Sequence, residues 1–83
     1  MKLDEEIKKN LKEGKVIIGF KESLKYLKRN KAKMVIIANN IPEEMRKKLE
    51  ISADNIKIFN GSSKELGTLC GRPHPVSTIV IKG

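Results

Sequence analysis

The chain contains one cysteine, one histidine, one tyrosine, two phenylalanines and no tryptophan. A single cysteine excludes an internal disulfide and any thiol-based metal cage, and it fits a reducing cytoplasm. With aromatic residues at 4%, stacking platforms for single strands are poorly supplied. No apolar run approaches the roughly 18 residues that a membrane-spanning helix needs, and the Met1 end is charged rather than built like a signal peptide. Membrane spanning and secretion are therefore not expected. At 83 residues the chain has room for one domain, expected to span residues 1–83. A domain of this size buries only roughly 60% of its unfolded surface, so a deep substrate cavity would be costly, and neither a cofactor nor a small-molecule substrate is expected.

What the sequence has in excess is positive charge. Eighteen lysines and arginines stand against ten acids, a formal net charge of +8. That imbalance points to a polyanionic partner. Charged residues reach 34%, yet the apolar 39% comes in ordered blocks, which separates the chain from the disordered class.

The blocks switch period along the chain. Leu3, Ile7 and Leu11 recur at helical spacing behind an acidic start (Asp4, Glu5, Glu6), with Gly14 placed to end the helix. Val16-Ile17-Ile18 reads as a short strand buried on both faces. Phe20, Leu24 and Leu27 make the stripe of a second helix, and Met34–Ala38 a second strand stopped by Asn39-Asn40. Pro42 opens a third helix as its first residue, with Met45 and Leu49 facing inward. Ile56–Phe59 is a third strand. Ser62 with Glu65 three residues on has capping-box spacing and opens a fourth helix with Leu66, Leu69 and Cys70 inward, ended by Gly71, Pro73 and Pro75. Val76–Ile81 is the last strand. Buried strands alternating with amphipathic helices predict an α/β fold, a three-layer α/β/α sandwich.

Charge is concentrated. From Lys15 to Lys33 there are seven basic residues and one acid, Glu22. Lys21, Lys25 and Lys28 recur at helical spacing and project together beside the buried stripe, either as a phosphate footprint or as a solvated face. Asn39 and Asn40 fit a turn that caps the helix after Pro42, or base and ribose hydrogen bonding. Gly19, between strand and helix, permits a tight turn or a close approach, but no complete glycine-rich nucleotide motif surrounds it. Cys70 with His74 suggests a nucleophile and its base, or two metal ligands. Cys70, however, lies on the buried stripe of its helix, and no further cysteine or histidine completes a zinc site. Neither a catalytic residue nor a metal site is assigned.

The segment Glu65–Ser77, E-L-G-T-L-C-G-R-P-H-P-V-S, carries a resemblance. It is similar to the ribosomal L-thirty-e family of archaeal and eukaryotic large-subunit proteins, a branch of the kink-turn RNA-binding superfamily that includes L-seven-A-e. Gly14-Lys15-Val16-Ile17 with Gly19 and Ser23, and Ala38-Asn39-Asn40, match in order, so the similarity covers almost the whole chain.

The resemblance implies a four-stranded mixed sheet and binding to a sharply bent internal loop of ribosomal RNA. It places Gly19, Lys21, Glu22 and Lys25 against tandem sheared G·A pairs, with Glu22 accepting from a guanine edge. Asn39 and Asn40 would form a second RNA-facing loop. Gly71, Arg72, His74, Pro75 and Val76 would form a third that holds an unstacked base. It further implies a cytoplasmic, ribosome-bound structural protein, a monomer when free, with other ribosomal proteins as neighbours. The alternative within the superfamily is a stand-alone kink-turn binder of a guide-RNA or ribonuclease P particle, or a bacterial relative without an assigned role. Three departures stand out. Lys21 is followed by Glu22 where the ribosomal branch commonly carries a basic pair. The stretch from Glu50 to Ile56 is shorter than usual, which predicts a shorter third helix, and the usual tail after the last strand is lacking.

Overall fold

The computed structural model describes residues 3–53 and 55–82. Its elements run α1 (Leu3–Lys12), β1 (Val16–Ile18), α2 (Phe20–Arg29), β2 (Ala32–Ile37), α3 (Glu43–Ser52), β3 (Ile56–Ile58), α4 (Ser63–Leu69) and β4 (Thr78–Lys82). The strands form one mixed sheet in the order β1-β4-β2-β3. β4 lies antiparallel to both β1 and β2, in register Val16↔Ile81 and Val35↔Val80, while β3 runs parallel to β2.

Alternation along the two central strands builds a core on each face. Ile36, Ile79 and Ile81 meet Ile7 of α1 and Leu66 of α4 on one side. Val35, Ile37 and Val80 meet Leu27 of α2 and Leu49 of α3 on the other. Helices cover both faces, as the sandwich reading expects, and the sheet is mixed, as the resemblance implies.

Three expectations are corrected. β1 and β3 are edge strands, so Val16, Ile17, Ile18 and Ile56 are only half-buried, and Ile58 is 48% exposed. Full burial on both faces is confined to 35–37 of β2 and 78–81 of β4. The last strand begins at Thr78, because the backbone N–H of Val76 bonds Ser63 of α4 and not a neighbouring strand. Pro42 precedes α3 as its cap residue, with Glu43 the first helical one.

β1, β2 and β3 all point the same way and β4 the opposite way. One rim of the sheet therefore collects the carboxyl ends of three strands and the amino end of the fourth. The segments after β1, after β2 and before β4 meet there, because β4 lies between β1 and β2.

Candidate nucleic-acid interface

The first rim segment is Gly19 and the opening turn of α2. Gly19 has φ 110° and ψ 148°, in the positive-φ half of the map that side chains other than glycine's rarely enter. A Cβ there would meet nothing within 4 Å. Conformation, not crowding, therefore demands glycine, and the backbone lies open to a ligand. The turn is pinned from behind: Gly19 N–H donates to the Thr78 carbonyl at 2.9 Å, and the buried Ser23 hydroxyl donates to the Gly19 carbonyl. Lys21, Glu22 and Lys25 are exposed on the turn that follows. The Lys25 ammonium lies 3.9 Å from the Glu22 carboxylate, with both side chains largely in water. Such a pair contributes little and opens readily to other partners.

The second segment runs Ala38-Asn39-Asn40. Ala38 N–H donates to the Ser77 carbonyl at 2.9 Å and Asn39 N–H to the Gly61 carbonyl at 3.1 Å, which ties this segment to both its neighbours. Both asparagines are exposed. The Asn40 side chain does cap a helix, but it is α4 and not α3. Its Oδ1 accepts from Ser63 N–H at 2.9 Å, while no side chain caps α3. Among the described residues the Asn39 side chain has no hydrogen-bond partner, which leaves its amide free for a ligand.

The third segment, Gly71–Ser77, folds back over α4. Arg72 N–H bonds the Gly67 carbonyl at 2.8 Å and Val76 N–H the Ser63 carbonyl at 2.9 Å. Beneath it lies Gly67. A Cβ at Gly67 would run into the His74 carbonyl oxygen and sit 3.3 Å from Pro75 Cα. Absence of a side chain here lets the His74-Pro75 backbone rest directly on the helix. Arg72, His74 and Pro75 are exposed, whereas Val76 is 4% exposed and belongs to the core. Together the first and third segments enclose a cleft of about 340 Å³, lined by Gly19, Phe20, Arg72, His74 and Pro75 among others.

The structure thus brings Gly19, Arg72, His74, Pro75 and Val76 to one cleft, with Lys21, Glu22 and Lys25 on the adjoining turn and Asn39 and Asn40 alongside. Gly71 ends α4 and starts the third segment. Lys28 stands apart: nine residues beyond Gly19 on a helix rising 1.5 Å per residue, it is about 13 Å away. It lines another cleft with Tyr26 and Arg29. Val76 faces inward, so only its backbone reaches the rim.

Sequence reading missed Ser23, Ser63 and Gly67 as supports. The signal for Gly67 was a glycine inside a helix, which costs about 1 kcal/mol against alanine unless packing requires it. Ser63 gives no local signal, because its partners Asn40 and Val76 come from distant segments.

Cys70 is half-buried against the α1/α4 core. Burial raises its thiol above the usual value, with Arg72 partly opposing. A thiol held protonated is a poor nucleophile, the reverse of what catalysis with His74 requires. Among the described residues, no group of three His, Cys, Asp or Glu side chains is placed to hold a metal ion.

A model of the ribosomal protein L7Ae/L30e/S12e/Gadd45 family matches residues 1–83. The chain belongs to this family. Among its relatives are proteins named large ribosomal subunit protein eL30. That of Archaeoglobus fulgidus is 43% identical over 75 residues, covering 90% of this chain and 87% of the relative. That of Saccharolobus solfataricus is 44% identical over 80 residues, covering 92% and 74%. Among solved structures, the Giardia lamblia 15.5kD RNA binding protein superposes with a TM-score of 0.75 at 27% identity, covering 93% of this chain and 68% of that one. A protein of unknown function from Bacillus halodurans C, at 19% identity and TM-score 0.76, shares the fold. The family resemblance read from Glu65–Ser77 and its companion segments is confirmed.

Proposed function

We propose that this protein is a non-enzymatic structural component of the large ribosomal subunit, located in the cytoplasm on the ribosome, where residues 1–83 act as one RNA-binding domain. Its target is a kink-turn-like internal loop of ribosomal RNA. The observation that carries this reading is the convergence of three turns on one rim, next to a helix that with its flanks carries seven basic residues and a single acid. The family and the names of its relatives support it.

Each rim residue then has a chemical role. Glu22 accepts hydrogen bonds from a guanine edge, and Lys25 leaves it to reach the same pairs or their phosphates. Lys21 and Arg72 neutralise phosphates, releasing counterions. The bare Gly19 backbone lets the RNA strand approach closely. Asn39 offers both a donor and an acceptor. The cleft between Gly19 and His74-Pro75 takes an unstacked base. Irregular RNA exposes the base edges that an A-form groove hides, so short loops can read it. Binding the bent form better than the open one shifts the RNA toward the bend.

The test is a mobility-shift titration against a kink-turn RNA and the same RNA with its G·A pairs replaced. Tight binding to the first and loss of about 1–3 kcal/mol on the second is the expected result. Equal affinity for both would refute shape-specific recognition. A second reading, a stand-alone kink-turn binder outside the ribosome, draws on the similarity to the Giardia RNA binding protein. Retention on ribosomes pelleted at high magnesium favours the ribosomal role, and release with recovery on other RNAs favours the second.

A further inference from the structure

We infer that the outer cleft of α2, which adjoins the rim at Glu22 and Lys25, is a second RNA contact that takes a single-stranded segment, one base against Tyr26 and its phosphates on Lys28 and Arg29. The inference rests on the RNA-binding reading of the protein, though not on the kink-turn as target.

The cleft measures about 540 Å³ and is lined by Ile17, Lys25, Tyr26, Lys28, Arg29 and Asn30. That volume lies within the range of about 300–1,000 Å³ typical of small-ligand sites. It lies where β1, an edge strand, leaves Ile17 half-exposed beside the helix. Tyr26 is the only tyrosine in the chain. Half-buried, it packs partly on the α2/α3 core, and its hydroxyl has no hydrogen-bond partner among the described residues. An aromatic ring beside an apolar strand residue suits the face of any base, and the ring hydroxyl and the Asn30 amide supply polar contacts without strict sequence demand.

The cleft gathers three cations, Lys25, Lys28 and Arg29, around the Tyr26 ring against one acid, Glu22. Outside the cleft, Lys15 pairs with Glu13, Lys33 with Glu6, Arg46 with Glu50 and Lys47 with Glu43, while other surface lysines stand without an acidic partner among the described residues. In the cleft the sole acid, Glu22, pairs with Lys25. Lys28 and Arg29 have no carboxylate within 4 Å among the described residues. Adjacent uncompensated cations repel one another, and a polyanion relieves that repulsion. Glu22 and Lys25 belong to both the rim and the cleft, so the two adjoin one another.

The test is a backbone-amide NMR titration of the full chain, first with a uridine hexamer and then with a kink-turn RNA that has no single-stranded extension. The hexamer should shift Tyr26, Lys28, Arg29 and Asn30. Tyr26→Leu should weaken hexamer binding about fivefold or more while Tyr26→Phe keeps it. Lys28→Ala with Arg29→Ala should reduce the salt slope by about 1.4 for two lost phosphates on a single strand. Hexamer shifts confined to Gly19, Asn39 and His74, or no shifts at all, would overturn the inference. The kink-turn reading is scored separately, on whether the second RNA moves the rim amides of Gly19, Asn39 and His74.

Discussion

The side-chain oxygen of Asn40 accepts the backbone N–H of Ser63, and the Ser63 carbonyl accepts from Val76. One residue at the start of α4 therefore fastens the second rim segment and the third to each other. Asn40, one candidate base reader, is by this geometry a brace, and Asn39 beside it keeps a side-chain amide without a hydrogen-bond partner among the described residues.

Removing the brace has a defined cost. Asn40→Ala should lower stability by about 1 kcal/mol, the usual loss for a helix cap, read as a shift in urea midpoint without a change in slope. Asn40→Asp keeps the acceptor and should recover most of it. RNA affinity should fall in the alanine variant in step with the looser third segment.

Gly67→Ala tests the close approach of His74. Alanine improves helix propensity by about 1 kcal/mol at an unconstrained site. Here its methyl would push on the His74 carbonyl. The net change should be destabilising by about 1–3 kcal/mol, as in other overpacked sites, with the His74 and Pro75 signals displaced in NMR spectra. A more stable variant with unchanged spectra would contradict the geometry.

Glu22→Ala and Lys25→Ala separate binding from folding. Both side chains are exposed and their pair is weak, so thermal stability should change by less than about 0.5 kcal/mol. Affinity for a kink-turn RNA should fall by about 1–3 kcal/mol in each. Lys47→Ala, on α3 away from the rim, should leave that affinity unchanged apart from a slight change in salt slope.

Cys70 gives a pH prediction. Its thiol titrates above the ordinary 9.0 because burial disfavours the thiolate. In the folded state, alkylation at pH 7–8 should be slower than in urea and accelerate only as the pH rises past the ordinary thiol value. The sign for stability follows: a raised folded pKa means the contribution is intact below about pH 9 and declines above it. Rapid alkylation of the folded protein at neutral pH would reopen the nucleophile reading.

The order of elements was legible in the residues, because each helix and strand carries its own period: Ile7 and Leu11, Leu24 and Leu27, Met34–Ala38. What separates an edge strand from a central one is its neighbours, and Val16–Ile18 looks as apolar as Thr78–Lys82. Burial of β1 was therefore overstated, and the place of β4 between β1 and β2 could not be read. The charged α2 and the Gly19 turn were visible as candidates from local spacing. The capping role of Asn40 was visible in kind but assigned to the wrong helix, since its partner Ser63 is 23 residues away. Val76 was assigned to a strand because it is β-branched and apolar, yet a bond to α4 claims its N–H.

The central place of β4 sets an order of events during synthesis. Until Thr78–Lys82 has emerged from the translating machinery, β1 has no partner in the sheet and the β2–β3 pair has one naked flank. The nascent polypeptide can form its helices early but cannot close the rim until β4 takes its place between β1 and β2.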